Sequence, residues 1–313
     1  MDKMISVAIP CYRSEKTIPV VVADLQELFQ TNQIPYQIVL VNDGSPDHTF
    51  QVIRKLAQQD HHVVSVNLSK NYGQHSARMA AIPFLKGDYI VYMDDDGQHP
   101  VSAILPMLQK LEDGDYDVVY AQFQHKKHSA FKRLVSRINT ATLNFLAGKP
   151  KGITNSSFSI MRAYVAKELV KYKSPFPSWT GFVMQITHNV ANLPVEHVAR
   201  ISGQSNYTLK RMLRLYLNSM FGFSIVPLRL SSAIGAICAF AGFLTALYCI
   251  LQKLFHSSIP VGYTSLISVI LIVGGLIMLM LGLVGEYVGR IYMINSNMPQ
   301  YTIREVVEEE KDG

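Results

Sequence analysis

Cysteine is scarce in this chain, which has three in 313 residues. Cys238 and Cys249 lie inside an apolar run, and Cys11 follows the first predicted strand. No pair has the spacing of a zinc site, so we expect a reduced, cytosolic catalytic part. We also expect no signal peptide, because the first apolar run, residues 5–9, is too short for one and polar residues follow it.

Charge is absent from two long stretches near the C-terminus. No Asp, Glu, Lys or Arg occurs in residues 230–252 or 254–285, and each stretch exceeds the roughly 20 residues that span a bilayer. They predict two transmembrane helices, about residues 230–251 and 263–285. Lys and Arg are denser on either side of the pair than in its connecting loop. This bias predicts a multi-pass inner-membrane protein with the catalytic domain and both termini in the cytoplasm.

The segments that flank these stretches are polar. Residues 207–229 begin with a helical pattern that places Lys210, Arg211 and Arg214 opposite an apolar face, which predicts a juxtamembrane amphipathic helix on anionic head groups. Residues 286–313 form the predicted cytosolic C-terminal tail. Its final part, from Glu305 onward, is expected to be disordered because it is rich in glutamate.

Strand and helix patterns alternate through the first 206 residues, which we predict to be one cytosolic α/β domain. A parallel, twisted sheet with helices on both faces is expected. The predicted strands are residues 5–9, 37–41, 63–68, 88–93 and 117–122. Further elements are predicted as a strand at 155–161, helices at 163–171 and 180–192, and an edge strand at 195–200.

The turn after the first strand lacks a G-x-G-x-x-G sequence, which argues against a dinucleotide cofactor held in the usual manner. Glu15 and Asp43 follow the first and second strands, where a carboxylate could accept a hydrogen bond from a nucleotide base. Helix capping is the alternative for both residues.

An acidic cluster, YMDDDGQHP at residues 92–100, follows the fourth strand. In extended backbone Asp94 and Asp96 face the same side, with Gln98 nearby, while Asp95 points away. Carboxylates in this arrangement are suited to a hard divalent cation such as Mg²⁺ or Mn²⁺ that bridges to phosphates. A solvated acidic turn is the alternative interpretation.

The formal charge of +6 comes largely from residues 126–229 and suits anionic partners. Lys132 with Ser136, and Arg133 with Arg137, are each four residues apart and could clamp a phosphate from one helix side; a solvated face is the alternative. Trp179 has two interpretations: it lies at the mouth of the site near the lipid surface, or it packs in the protein core. No nucleic-acid motif or stacking array is found, so nucleic acid is not an expected partner.

Together, these segments resemble the family 2 glycosyltransferases of the GT-A fold. Within that family they are most similar to membrane-anchored polyprenyl-phosphate glycosyltransferases, such as dolichyl-phosphate mannose synthase and the bacterial bactoprenol glucosyl transferases. The matching segments are VAIPCYRSE (7–15), VNDGSPDHT (41–49), NYGQHSAR (71–78), MDDDGQHP (93–100), RISGQSNY (200–207) and GEYVGRIY (285–292).

The resemblance implies roles for individual residues. Those expected to hold the nucleotide-sugar are Pro10, Tyr12, Glu15, Asp43 and Asp94, with Arg200 and Ser205 in a loop over the diphosphate. Asp94, Asp96 and Gln98 are the implied metal and catalytic residues. The implied reaction is an inverting transfer of one sugar from a UDP- or GDP-linked donor to a polyprenyl phosphate, undecaprenyl phosphate in a bacterium. Lys132, Arg133, Ser136 and Arg137 are our hypothesis for the acceptor phosphate site.

One departure from the family pattern affects the mechanism. Relatives often carry an acidic residue in the stretch that matches residues 154–158, which here reads TNSSF. A lipid monophosphate, with a second pKa of about 6, is already an anionic nucleophile, so a protein base is not required. The missing acid could instead reflect a different sugar or acceptor contact.

Two other functions are left open by the sequence. A processive polysaccharide synthase would carry a Q-x-x-R-W segment, but Ile186, Thr187, His188 and Asn189 follow Gln185. A catalytically silent membrane scaffold would not need Asp94, Asp96 and Gln98. A homo-oligomer is also left open.

Overall fold

The computed structural model describes residues 3–123, 152–172, 179–196, 226–255, 262–296 and 299–308. The chain divides into two compact units, Met1–Ser219 with Met298–Gly313, and Met220–Asn297. The strands of the first unit are β1 Ile5–Cys11, β2 Tyr36–Asn42, β3 Val63–Leu68, β4 Tyr89–Tyr92, β5 Val118–Phe123, β6 Ser159–Arg162, β7 Val190–Val195 and β8 Ile303–Val307. Its α-helices are α1 Ile18–Thr31, α2 Thr49–Gln59, α3 Gln74–Ala81, α4 Ile104–Asp113, α5 Ala163–Leu169 and α6 Trp179–Ile186.

The strands form one mixed sheet in the order β7-β5-β6-β4-β1-β2-β3-β8. The four central strands, β4, β1, β2 and β3, are parallel neighbours, in agreement with the predicted alternation. β6 is antiparallel to both β4 and β5, and β8 is antiparallel to β3. The prediction of an all-parallel sheet is wrong at these two strands, because a buried apolar run does not specify its neighbour or its direction.

The central strands are buried on both faces, which explains their continuous apolar runs. Apolar residues of α1, including Leu25 and Phe29, pack with Ile9 and Leu40 on one face. Side chains alternate between the two faces of a strand, so Tyr92 of β4 lies on the face opposite this core. There, Trp179 of α6 packs edge-on against Tyr92, with 4.2 Å between the two ring centroids.

The predicted boundaries after β5 need correction. The predicted helix 180–192 ends at Ile186, and the predicted edge strand 195–200 lies earlier, at Val190–Val195, where it pairs in parallel with β5. The Thr187 hydroxyl donates to Asp117 at 2.6 Å and accepts the Asn189 N–H at 3.0 Å. These side-chain bonds form a turn between the helix and the strand.

The C-terminal segment also differs from its prediction. Residues 303–307 form β8, whose Val306 pairs with Val66 of β3, and Glu305 lies 3.7 Å from Arg54. The prediction of disorder from Glu305 onward is therefore wrong for residues 305–307. The β-branched residues of this strand favour its pairing along the open edge of β3. The prediction of disorder relied on the acidic composition of the tail and gave these residues too little weight.

The second unit contains two long helices, α7 Val226–Phe255 and α8 Tyr263–Asn295. Within it a Cβ at Gly235 would lie 2.9 Å from Met280, so a small residue allows the two helices to approach closely. Among the described residues, Ile272–Asn295 is long and apolar enough to cross a membrane, with mean hydropathy 1.9. The apolar part of α7, Ser231–Leu244, is shorter. One span is thus supported by length and composition. The amphipathic helix was predicted at 207–229. Residues 207–225 lie outside the described residues, so the structure does not test that part of the prediction.

Candidate active site

The candidate site lies where the carboxyl ends of β1, β2 and β4 meet, which is where open α/β sheets bind ligands. The loop after β1 and the acidic loop after β4 are joined directly, because the Tyr12 N–H donates to Asp95 Oδ2 at 2.9 Å. Burial raises the pKa of Asp95 to about 6, although the bond from Tyr12 lowers it. Asp95 therefore links the loop after β1 to the acidic loop. It has a different role from Asp94.

Asp43, at the end of β2, is buried and is enclosed by the loop after β3. Its carboxylate accepts the N–H of Tyr72 at 2.7 Å and of Gly73 at 2.9 Å. Burial raises the pKa of Asp43, while these two hydrogen bonds oppose that shift. Gly44 has φ +58°, and a Cβ there would lie 2.3 Å from the carbonyl carbon of Lys70, so the two loops can meet only at a glycine.

Glu15, Pro10 and Tyr12 lie near this edge in different settings. Glu15 Oε2 accepts the N–H of His48, the residue that precedes α2, at 3.1 Å. This is the helix-capping alternative for Glu15. Pro10 is buried within β1, whereas Tyr12 is 43% exposed and is therefore accessible to a ligand.

Asp94 is held on both carboxylate oxygens by neighbouring side chains. Arg78 of α3 donates from Nη2 to Oδ1 at 2.9 Å, and Gln74 Nε2 also bonds Oδ1. The Ser157 hydroxyl donates to Oδ2 at 2.7 Å. Burial would raise the pKa of Asp94, but the charge of Arg78 and the hydrogen bonds from Ser157 and Arg78 outweigh burial and lower the pKa. Asp94 is therefore ionised and paired in this structure.

His99 lies beside Asp94 and contacts it. Its Nδ1 accepts the Asp94 N–H at 2.9 Å, which requires that nitrogen to be unprotonated. The proton then lies on Nε2, which faces the Ser157 hydroxyl at 3.3 Å and Asp94 Oδ2 at 3.7 Å. Stacking on Phe158, with ring centroids 4.9 Å apart and planes 8° apart, fixes the orientation of the imidazole.

Asp96 and Gln98 complete the acidic loop on its open side. Asp96 Oδ1 accepts the Gln98 N–H at 3.1 Å, and Gly97 between them has φ +72°. Both side chains are partly exposed. Asp94, Asp96 and Gln98 offer only hard oxygen ligands, so their chemistry fits Mg²⁺ or Mn²⁺, with Asp94 available once it leaves Arg78.

A second group of residues whose side chains could hold a metal ion lies away from the acidic loop. Among the described residues, Asp60, His61 and His62 are the group of His, Cys, Asp or Glu whose ligand atoms all lie within 4.8 Å of one another. The group immediately precedes β3, so it lies at the amino ends of the parallel strands, whereas the acidic loop lies at their carboxyl ends. Its histidines would favour zinc-like ions over Mg²⁺.

Sequence reasoning missed four residues that surround Asp94. They are Gln74, Arg78, His99 and Ser157. Each belongs to a segment that had been singled out, but its contact with Asp94 depends on how α3 and β6 are placed next to β4. Trp179 is buried against Tyr92, so the core interpretation is correct for it.

The remaining predicted site residues lie outside the described part of the chain. These are Lys132, Arg133, Ser136, Arg137, Arg200 and Ser205. Their assigned roles stay predictions.

This mixed sheet, with an acidic loop at the carboxyl ends of its central strands, is an α/β sheet of the GT-A fold. The chain belongs to glycosyl transferase family 2, whose model matches residues 6–170. Residues 226–291 match a second model, the GtrB C-terminal hairpin.

Proteins similar to this chain match it over nearly its whole length. It is 32% identical to the uncharacterized glycosyltransferase YkcC of Bacillus subtilis (strain 168), covering 96% of this chain and 93% of that protein. It is 29% identical to the undecaprenyl-phosphate 4-deoxy-4-formamido-L-arabinose transferase of Photorhabdus laumondii, covering 99% and 96%. An enzyme of that same name from Yersinia enterocolitica is 28% identical, covering 99% and 95%.

Among solved structures, the chain resembles glucosyl-3-phosphoglycerate synthase of Mycobacterium tuberculosis in complex with Mn²⁺, UDP and phosphoglyceric acid. The TM-score is 0.51 at 18% identity, covering 70% of this chain and 76% of that chain. This likeness shows the fold.

Proposed function

We propose that this protein transfers a single sugar from a nucleotide-sugar to undecaprenyl phosphate at the cytoplasmic face of the membrane. One observation carries the proposal above the others. The full-length similarity to undecaprenyl-phosphate transferases includes both the GT-A domain and the C-terminal hairpin. A soluble glycosyltransferase would share only the first of these parts.

The donor is proposed to bind along the edge formed by β1, β2 and β4. The exposed Tyr12 ring offers a surface on which a base can stack, and Asp43 holds the loop after β3 that forms the wall beside it. We assign Pro10 and Glu15 to shaping this part of the site, and Arg200 and Ser205 to the diphosphate. The proposed donor is a UDP- or GDP-linked sugar.

The diphosphate end of the donor is proposed to meet Asp94, Asp96 and Gln98. A divalent cation bound there would neutralise charge on the departing nucleoside diphosphate. We assign Asp96 and Gln98 to the cation as further oxygen ligands, while Ser157, which donates to Asp94, and His99, which accepts its N–H, keep Asp94 oriented. These residues supply positioning and electrostatic stabilisation for the displacement.

The acceptor phosphate is proposed to attack without help from a protein base. The residues at positions 154–158 are not acidic, and Ser157 uses its hydroxyl to donate a hydrogen bond to Asp94. An anionic phosphate needs orientation more than deprotonation. We assign that orientation to Lys132, Arg133, Ser136 and Arg137, and direct displacement would invert the anomeric configuration.

The membrane part is proposed to be a two-span hairpin. β7 ends at Val195 and β8 begins at Ile303, and both belong to the same sheet. A chain that leaves a folded domain and returns to it crosses the membrane an even number of times. Since α8 contains one suitable span, α7 would supply the other, and both termini would stay in the cytoplasm with the sheet.

The test is a panel of UDP- and GDP-sugars incubated with purified full-length protein, undecaprenyl phosphate and Mn²⁺ or Mg²⁺. We expect one donor to release nucleoside diphosphate, and only when lipid phosphate and divalent cation are both present. Release without the lipid, together with a growing polymer, would instead support a processive synthase. No release with any donor would support a silent scaffold.

A further inference from the structure

Arg78 is a buried cation that lies directly against the acidic loop, a contact that no sequence motif predicted. It is 3% exposed, and Nη2 bonds both Asp94 Oδ1, at 2.9 Å, and the Ser157 carbonyl oxygen, at 3.1 Å. Its guanidinium carbon lies 5.9 Å from the centroid of the buried Trp179 ring. Contacts on two sides therefore hold the guanidinium against Asp94.

We propose that Arg78 is a positioning residue that holds Asp94 away from a divalent cation and thereby sets the cation affinity of the acidic loop. The inference rests on the proposed function in one respect, namely that Asp94, Asp96 and Gln98 are the cation ligands. It adds that one of these ligands is occupied by an internal positive charge before the cation arrives.

The hydrogen bonds of Asp94 show why the cation has to compete. Oδ1 is bonded by Arg78 and Gln74, and Oδ2 is bonded by Ser157. Oδ1 already accepts two hydrogen bonds, so a cation at about 2.0–2.1 Å from it, the usual Mg²⁺ distance, would have to displace Arg78 or Gln74. Asp94, Asp96 and Gln98 are all partly exposed, so a cation can reach the loop from solvent, but at Asp94 it finds Arg78 and Gln74 already bonded to Oδ1.

Charge balance gives the direction of the effect. Arg78 neutralises one of three adjacent carboxylates at the loop, and it also repels an incoming dication. Removing that charge while keeping the shape of the side chain should strengthen cation binding. If Arg78 served only to pack against Trp179 and stabilise the fold, its charge would not affect cation affinity.

The experiment measures Mn²⁺ binding to purified full-length protein by electron paramagnetic resonance, without any substrate. A His61→Ala background removes binding at the Asp60, His61 and His62 cluster. Arg78→Met keeps the length of the side chain beside Trp179 but removes its charge, and Arg78→Gln keeps an N–H donor for Asp94. Arg78→Lys is the matched control that keeps the charge.

We expect both neutral variants to lower the Mn²⁺ dissociation constant about tenfold, because the incoming dication is no longer repelled by a nearby positive charge. The lysine variant should stay within about threefold of the parent, because the charge is kept. Arg78→Gln carries the test if Arg78→Met does not fold, since it keeps a partner for the buried carboxylate. Unchanged or weaker Mn²⁺ binding in a folded neutral variant overturns the proposal, as does a lysine variant that binds as tightly as the neutral ones.

An Asp96→Asn control separates this inference from the proposed function. If Asp96→Asn leaves Mn²⁺ binding intact, the assignment of the metal ligands is wrong, and the role of Arg78 is wrong with it. If Asp96→Asn abolishes binding but the neutral Arg78 variants bind like the parent, only the role of Arg78 is wrong.

Discussion

Asp95→Asn is expected to stabilise the catalytic unit of the metal-free protein at neutral pH. Burial raises the pKa of Asp95 from 3.8 to about 6 in the folded protein. As pH rises from about 4 to about 6, the unfolded chain loses a proton that the folded chain retains, so the free energy of unfolding falls across this window. Above it, the folded protein carries the full cost of an ionised Asp95.

The size of the effect follows from the pKa difference. About 2 pH units correspond to about 3 kcal/mol, and contact of this loop with water reduces the expected gain to about 1–3 kcal/mol. Asparagine keeps an oxygen that can accept the Tyr12 N–H, so the link between the two loops should survive. The gain should be largest at neutral pH and should vanish below about pH 4.

Trp179 makes this prediction directly measurable. It is the single tryptophan of the chain and is buried in the first unit, so its fluorescence reports unfolding of that unit alone. Urea titrations in detergent with EDTA, at acidic and neutral pH, give the difference between Asp95→Asn and the parent. A variant that is less stable than the parent at neutral pH, or a difference that does not change with pH, would refute the reasoning.

Three further outcomes are expected. Asp96→Asn should abolish sugar transfer while leaving membrane insertion intact, and near-parental turnover would show that Asp96 is not a cation ligand. A chain that ends after Asn297 lacks β8 and the bond from the Ser69 N–H to the Thr302 carbonyl at 2.9 Å, next to the loop that encloses Asp43. It should unfold at lower urea and bind the donor more weakly, and unchanged values for both would contradict this role. Arg133→Ala with Arg137→Ala should raise the KM for the lipid several-fold more than that for the donor, and an equal change in the two KM values would count against the phosphate clamp.

The central strands were predictable because burial on both faces requires continuous apolar runs. Ile38, Val39, Leu40 and Val41 of β2 are all buried, and their sequence shows it. The insertion of β6 between β4 and β5 was not predictable, because Ser159, Ile160 and Met161 look like any short apolar strand. Local sequence pattern does not encode the direction in which a short strand joins the sheet.

The acidic loop was also predictable, because Asp94, Asp96 and Gln98 closely follow the end of a strand in the sequence itself. The partners of Asp94 were not. Arg78 and Ser157 are 16 and 63 residues away along the chain, and they reach Asp94 only through the placement of α3 and β6. Their roles depend on tertiary contacts that no spacing rule contains.

In the proposed reaction, a lipid-borne phosphate displaces a nucleoside diphosphate at a cation-binding carboxylate site. The most direct measurement is mass spectrometry and NMR of the lipid product made by purified protein from undecaprenyl phosphate and the accepted nucleotide-sugar, with and without EDTA. We expect one sugar per lipid phosphate, with inverted anomeric configuration, and no product after chelation. A product that forms equally well in EDTA, or a sugar with retained configuration, would contradict the account.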